Sequence, residues 1–245
     1  MIRAALVAAL LVPGLAWGQG LIPSQPLRLF QEDAGTVTHL VWNGSALRDV
    51  RGLGWQMQGT VPQVKKGSIA PFRPGAGPYS GSNYYYLAST NPLQFAGDFT
   101  VCVAFTATST AAYFAPVSNW AANKGWEITG SSPNGNIAVL LGTGAGNATI
   151  ETANRVSTTG VNVACIWATG GRGYVKLNGG STVSVAGTSS PANTTIVRVG
   201  DRASGTIPLP GVVYEVWAST TTATEANITA LQSRAMSLIK LRPGF

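Results

Sequence analysis

Two cysteines stand in this 245-residue chain, and each falls in the middle of a stretch that reads as an extended strand. In Phe99-Thr100-Val101-Cys102-Val103-Ala104-Phe105 the large residues Phe99, Val101, Val103 and Phe105 share one face, while Thr100, Cys102 and Ala104 share the other. That alternation predicts a β-strand with one face in a core. Val161-Asn162-Val163-Ala164-Cys165-Ile166-Trp167 is a second β-rich run, and it leads into the turn Gly170-Gly171-Arg172-Gly173. Further strands are expected at residues 84–87, 137–141, 174–177, 183–185, 195–199 and 212–217, separated by Gly-, Asn- and Pro-containing turns. The Asn134-Gly135 pair supplies the positive φ values of a tight hairpin ahead of residues 137–141. One helix is expected near the C-terminus. Thr222-Ala223-Thr224-Glu225 has capping-box spacing with Thr222 as the N-cap, and Ile228, Leu231, Ala235 and Leu238 recur on one face.

In chain order, the Phe-Thr-Val-Cys strand, the second mid-strand cysteine, the Gly-containing turn and the strand Tyr174-Val175-Lys176-Leu177 ending in Asn178-Gly179 resemble the pentraxin and laminin G-like branch of the concanavalin A-like jelly rolls. Residues 42–52, the Gly125-Trp126-Glu127-Ile128 segment and the closing strand followed by a Thr-x-x-Glu helix extend the resemblance to residues 28–245. It implies an all-β, two-sheet antiparallel jelly-roll sandwich with one short C-terminal helix, Trp126 in the core, and a disulfide joining Cys102 to Cys165 across neighbouring strands of one sheet. A bridge closing so long a loop would stabilise the fold by about 4 kcal/mol in the chain-entropy model. Two buried free thiols remain the alternative, and no Cys-x-x-Cys is present to suggest redox chemistry.

Residues 1–18 read as a signal peptide. Arg3 is the positive n-region, residues 4–15 the apolar h-region, and Ala16-Trp17-Gly18 a cleavage site before Gln19. Pro13 interrupts the apolar run, and a retained N-terminal anchor is the alternative. Residues 19–27 then form a lead-in linker and residues 28–245 a single domain, with a secreted product, extracellular or periplasmic. No later stretch is long and apolar enough to span a bilayer. Charged residues are 10% of the chain and the formal net charge is +7, with bases so scattered that no run exceeds Lys65-Lys66. Nucleic-acid binding wants a clustered stripe and is not expected. A mildly basic surface suits anionic envelopes or polysaccharides instead.

The nine carboxylates are Glu32, Asp33, Asp49, Asp98, Glu127, Glu151, Asp201, Glu215 and Glu225. The jelly-roll glucanases of the related fold carry a Glu-x-Asp-x-x-Glu strand that is absent here, and Glu32-Asp33 would point to opposite faces of any strand. His39 is the one histidine, which leaves no nucleophile triad and no zinc ligand set, and it is given no role. No catalytic residue is assigned and no enzyme activity is expected. Pentraxins bind calcium through a cluster of Asp, Glu and Asn side chains and laminin G-like domains through Asp and backbone carbonyls; here the resemblance offers as candidates Asp201, in Gly200-Asp201-Arg202-Ala203-Ser204-Gly205, and Asp49, whose alternative reading is turn capping. No other cofactor is expected. Tyr84 and Tyr86 face away from Tyr85 and Leu87, as phenols that stack on sugar rings or simply cover the sheet. With Trp120 and Arg202 they are the candidate ligand-binding residues. The function expected is a secreted, non-catalytic lectin-like module that binds carbohydrate or another envelope polymer. A structural subunit decorating a cell envelope, fibre or virion is the alternative, with an oligomer left open, and a glycan-active hydrolase comes third.

Overall fold

The computed structural model describes residues 28–64, 75–88, 91–131, 134–186 and 196–241. The expected signal peptide and lead-in linker lie outside the described residues, as does Thr195. Strands follow in chain order as β1 (Thr36–Trp42), β2 (Leu47–Asp49), β3 (Gln56–Gln58), β4 (Gln63–Val64), β5 (Gly75–Ala76), β6 (Tyr84–Leu87), β7 (Phe99–Phe105) and β8 (Phe114–Ser118). They continue as β9 (Trp126–Ser131), β10 (Asn136–Gly142), β11 (Asn147–Arg155), β12 (Asn162–Thr169), β13 (Arg172–Leu177), β14 (Val183–Ala186), β15 (Val197–Val199) and β16 (Val213–Ser219). A helix, α1 (Glu225–Leu241), closes the chain.

Among the described residues these strands make two antiparallel sheets packed as a β-sandwich. One sheet has nine strands, with the path β14-β13-β12-β7-β16-β1-β2 and with β4 and β5 attached beside β16; the other has seven, ordered β11-β10-β9-β8-β15-β6-β3. Phe99, Val101, Val103 and Phe105 of β7 point into the core between the sheets, where they meet Phe114, Trp126, Ile128, Val139 and Val199 from the opposite layer. Phe95 stacks on Phe99 with ring centroids 4.7 Å apart, and both meet Trp126 at a tilt, which fills one end of that core.

Alternation along β7 leads one to expect a single buried face, and the structure departs from this. Cys102 and Ala104, on the other face, sit in a second apolar cluster with Leu29, Phe30, Val163, Cys165, Trp167, Trp217, Ile228 and Ala235. The small side chains at that face leave room for α1 and the 29–30 segment to pack down, so β7 is buried on both sides. Within this layer Cys102 stands directly opposite Cys165 in the β7–β12 register, and the two form a disulfide with Cα atoms 4.1 Å apart. Opposed residues of an antiparallel pair come within about 4.5–5.5 Å, so register alone brings the sulfurs into reach.

The helix starts later than its capping-box spacing suggests. Thr224 Oγ1 accepts from the Asn227 amide at 3.2 Å and is the N-cap, because the Thr222 hydroxyl is drawn away to donate to Asp98 Oδ2. Ile228 and Ala235 pack against the nine-stranded sheet as expected. Between them Gln232, fully buried, ties helix to sheet: its Nε2 donates to Val163 O and Lys176 O, and its Oε1 accepts from Gly179 N. No helix among the described residues is long and apolar enough to cross a membrane.

Candidate functional site

The helix covers the nine-stranded sheet, and the outward face of the seven-stranded sheet carries a continuous row of side chains. In an antiparallel pair directly opposed residues share a face. Following register from strand to strand, Thr149, Leu140, Glu127, Ser118, Arg198, Tyr86 and Gln56 stand side by side on β11, β10, β9, β8, β15, β6 and β3. One residue over, Ile150, Val139, Ile128, Val117, Val199 and Tyr85 form the corresponding inward row, all buried in the core. The period of two that sends one row inward fixes the other outward. With neighbouring strands about 4.8 Å apart, Glu127 and Tyr86 lie about 14 Å from one another across the sheet.

Near one end of the row, Glu127 is fully buried although it points away from the core, because Arg202 lies over it. Arg202 Nε donates to Glu127 Oε2 at 2.9 Å and Nη2 to Oε1 at 2.6 Å, a two-pronged pair. That bond raises the guanidinium's affinity for its proton against the opposing effect of burial. The guanidinium carbon is 5.1 Å from the centroid of the Trp120 ring, whose indole N–H donates to Asn147 Oδ1 at 3.0 Å. Ser118 locks the group together, its hydroxyl donating to Glu127 Oε2 while Oγ accepts from the Trp120 and Ala203 amides. Trp120 itself opens a tight hairpin between β8 and β9. Ala122 and Asn123 both adopt positive φ, 49° and 63°, the handedness that matches strand twist. Gly125, with φ of 82°, closes it, and a Cβ there would lie 2.2 Å from the Asn119 carbonyl oxygen.

Farther along, the Arg198 guanidinium carbon sits 4.1 Å from the Tyr84 ring centroid. Its Nη1 donates to Asp201 Oδ2 at 3.3 Å and to the carbonyls of Arg202 and Gly205. Tyr84 meets Tyr86 edge to face at 6.1 Å, and the Tyr86 hydroxyl donates to Gln56 Oε1. Asp201 is fully buried. Burial pushes its carboxyl up, opposed by hydrogen bonds from the Arg202 and Ile207 amides and by Arg198. Tyr84, Tyr86, Trp120 and Arg202, the four ligand-binding candidates, therefore share one face and are all partly exposed. Sequence reasoning missed Arg198 and Glu127, which join them. The pattern Val197-Arg198-Val199 held the signal, since it puts the arginine opposite two core valines.

The calcium candidates sit apart, Asp49 on β2 of the nine-stranded sheet and Asp201 after β15 of the other. Asp49 Oδ2 accepts from the Thr38 hydroxyl at 2.7 Å, and Oδ1 from the amides of His39 and Arg51, the latter bond closing a turn. Asp201 is engaged as described. Among the described residues no group of three or more His, Cys, Asp or Glu side chains could hold a metal.

His39 belongs to a different structure, beneath the N-terminal segment on the nine-stranded sheet. Its Nε2 is 2.6 Å from Glu215 Oε1 and its Nδ1 3.0 Å from Glu32 Oε1. Glu215 also accepts from the amides of Leu29 and Phe30 at 2.7 and 2.9 Å, so this buried pair pins the entering chain to the sheet. Burial pushes His39 down, but the bonds and charges of Glu215 and Glu32 together outweigh it and hold the ring above its ordinary value.

No protein-family model and no curated protein sequence matches this chain. Among solved structures it is similar to a botulinum neurotoxin type C structure described as depending on interaction with two ganglioside molecules for cell entry, with a TM-score of 0.60, 13% identity, and coverage of 82% of this chain and 51% of that one. The ligand-binding domain of botulinum neurotoxin serotype D in complex with N-acetylneuraminic acid matches with a TM-score of 0.58 and 12% identity over 81% of this chain and 50% of that one. This chain thus spans about half the length of the toxin chains it matches. The CBM40 of the Ruminococcus gnavus IT-sialidase bound to α2,3-sialyllactose matches with a TM-score of 0.53 and 15% identity, over 64% of this chain and 96% of that one. At such identities the shared feature is the fold, a β-sandwich.

Proposed function

We propose that this protein is an exported, non-catalytic carbohydrate-binding module on a concanavalin A-like jelly roll, and that the outward face of the seven-stranded sheet receives the glycan. The observation that carries the reading is the set of partly exposed rings on that face: Arg202 lies over Trp120, Arg198 lies over Tyr84, and Tyr84 in turn meets Tyr86 edge to face. Trp and Tyr present an apolar ring to the C–H face of a sugar and a polar tip to its hydroxyls. Exposed Gln56, Gln58 and Asn147 beside them add neutral donors and acceptors. A platform of rings that spans two strand spacings, about 10 Å, favours an extended chain over a single ring. The solved relatives that carry sialic acid or sialyllactose support a carbohydrate ligand by analogy of fold.

Glycosidic cleavage needs two carboxyl groups flanking a bond. Here Glu127 is consumed by Arg202 and Ser118, and Glu215 by His39 and two backbone amides, which supports binding without turnover. Asp49 and Asp201 already accept from protein donors, which supports binding without calcium. The disulfide suits an oxidising compartment. A glycan array probed with the exported protein tests the reading: Trp120→Ala should weaken every bound glycan by about tenfold or more, and chelation with EDTA should change nothing. Undiminished binding by the variant removes this face from consideration. Absence of any glycan binding, together with ordered oligomers in solution, favours the structural-subunit reading.

A further inference from the structure

The charges on the same face are arranged in a way that bears on which sugars it accepts. Both guanidiniums of the row are neutralised by carboxylates of this chain. Arg202 is paired two-pronged with Glu127, and Arg198 lies against Asp201. Both carboxylates are fully buried, so neither can turn aside to solvent if its partner is taken. The other charged side chains that the β11 register puts on this face are Glu151 and Arg155, both exposed and of opposite sign. Lys124 lies in the hairpin turn beyond Trp120, at the rim. Among the described residues, what remains to meet a ligand along the row is neutral: the Trp120, Tyr84 and Tyr86 rings and the amides of Gln56, Gln58 and Asn147.

An acidic sugar reaching this face meets one of two penalties. Its carboxylate either draws Arg202 away from Glu127, which strands a buried charge, or gives up its water beside an ion pair that has no net charge to offer. A neutral sugar meets neither. We infer that the face is selective for neutral glycans and discriminates against acid-capped ones, the reverse of the sialylated ligands held by the solved relatives of this fold. The inference rests on the reading of this face as the glycan site and adds the class of ligand.

Calorimetric titration of the full exported chain, disulfide intact, with matched pairs of probes separates the two claims. The pairs are lactose with α2,3-sialyllactose, and neutral xylo-oligosaccharides with their glucuronic-acid-substituted forms. The acid-bearing member of each pair that binds should bind about tenfold more weakly or worse. Equal or tighter binding of the acidic members overturns the selectivity and leaves the carbohydrate-binding reading standing. Failure of every probe, acidic and neutral, overturns both. Glu127→Gln uncovers the Arg202 charge and should reduce the discrimination to about threefold or less. A folded Glu127→Gln protein with unchanged discrimination removes the pair as its cause, and Asp201→Asn asks the same of Arg198 should the first variant not fold.

Discussion

Removing the Cys102–Cys165 bridge should cost stability through the unfolded chain more than through lost contacts. The cysteines are 63 residues apart in sequence, and the chain-entropy relation for a closed loop of that length gives about 4 kcal/mol at 25 °C. In a domain of this size 1 kcal/mol moves the melting temperature by about 2–4 °C, so the expected fall is about 8–16 °C. Both sulfurs are fully buried between the nine-stranded sheet and α1, so a Cys102→Ala/Cys165→Ala pair also leaves a small void that adds to the loss. Urea unfolding followed by tryptophan fluorescence measures the effect on the oxidised protein, the reduced protein and the double variant. The reduced protein isolates the cross-link, because it keeps both sulfur atoms. An unfolded chain freed of its cross-link exposes more surface, so the urea slope should steepen in both altered forms. A loss below about 1 kcal/mol on reduction, or a slope that stays constant while stability falls, would refute the argument from loop closure.

The His39 cluster predicts a stability profile with two limbs. His39 is held above its ordinary 6.5, so its contribution is fully present below pH 6.5 and is lost as pH rises through its folded-state value. Glu32, held below its ordinary 4.5 first by the hydrogen bond from His39 and then by nearby positive charges, contributes above pH 4.5 and fades as pH falls through its lowered value. His39→Gln should flatten the alkaline limb of a melting-temperature profile, and an alkaline limb of unchanged slope would show that another group sets it. Gln232→Leu strands the Gly179 amide and removes one donor each from the Lys176 carbonyl and from the Val163 carbonyl, which keeps the Asn178 amide; denaturant unfolding should record a loss of about 2–4 kcal/mol, against under about 0.5 for the exposed neighbour change Ser233→Ala. Gly125→Ala forces a Cβ against the Asn119 carbonyl at a positive φ, so the hairpin that carries Trp120 should shift and glycan binding should fall even where the protein remains folded, a result readable by titration alongside circular dichroism.

How far the sequence discloses such a molecule depends on the range over which each feature is encoded. The strands are legible because a period of two is local: Phe99 to Phe105 and Tyr84 to Leu87 announce their faces within a few residues. What covers a face is not local. The alternation of Thr100, Cys102 and Ala104 gives no sign of the cover that Leu29 and Phe30, anchored by Glu215, and α1, anchored by Gln232, bring from segments remote in sequence. The same limit hides the site. Trp120 and Arg202 can be picked out as residue types, but Ser118, Arg198 and Tyr86 become neighbours only through the β8–β15–β6 register, which joins segments remote in sequence and slips every side chain to the opposite face if displaced by one. One physical demand joins the two ranges. A chain with nine carboxylates that fully buries Glu127 and Asp201 and all but buries Glu215 must give each a cationic or hydrogen-bonding partner, since an unpaired buried charge is among the costliest defects a fold can hold. Arg202, Arg198 and His39 are those partners, visible once the fold has buried the carboxylates, and two of these three pairs build the outward row rather than the core.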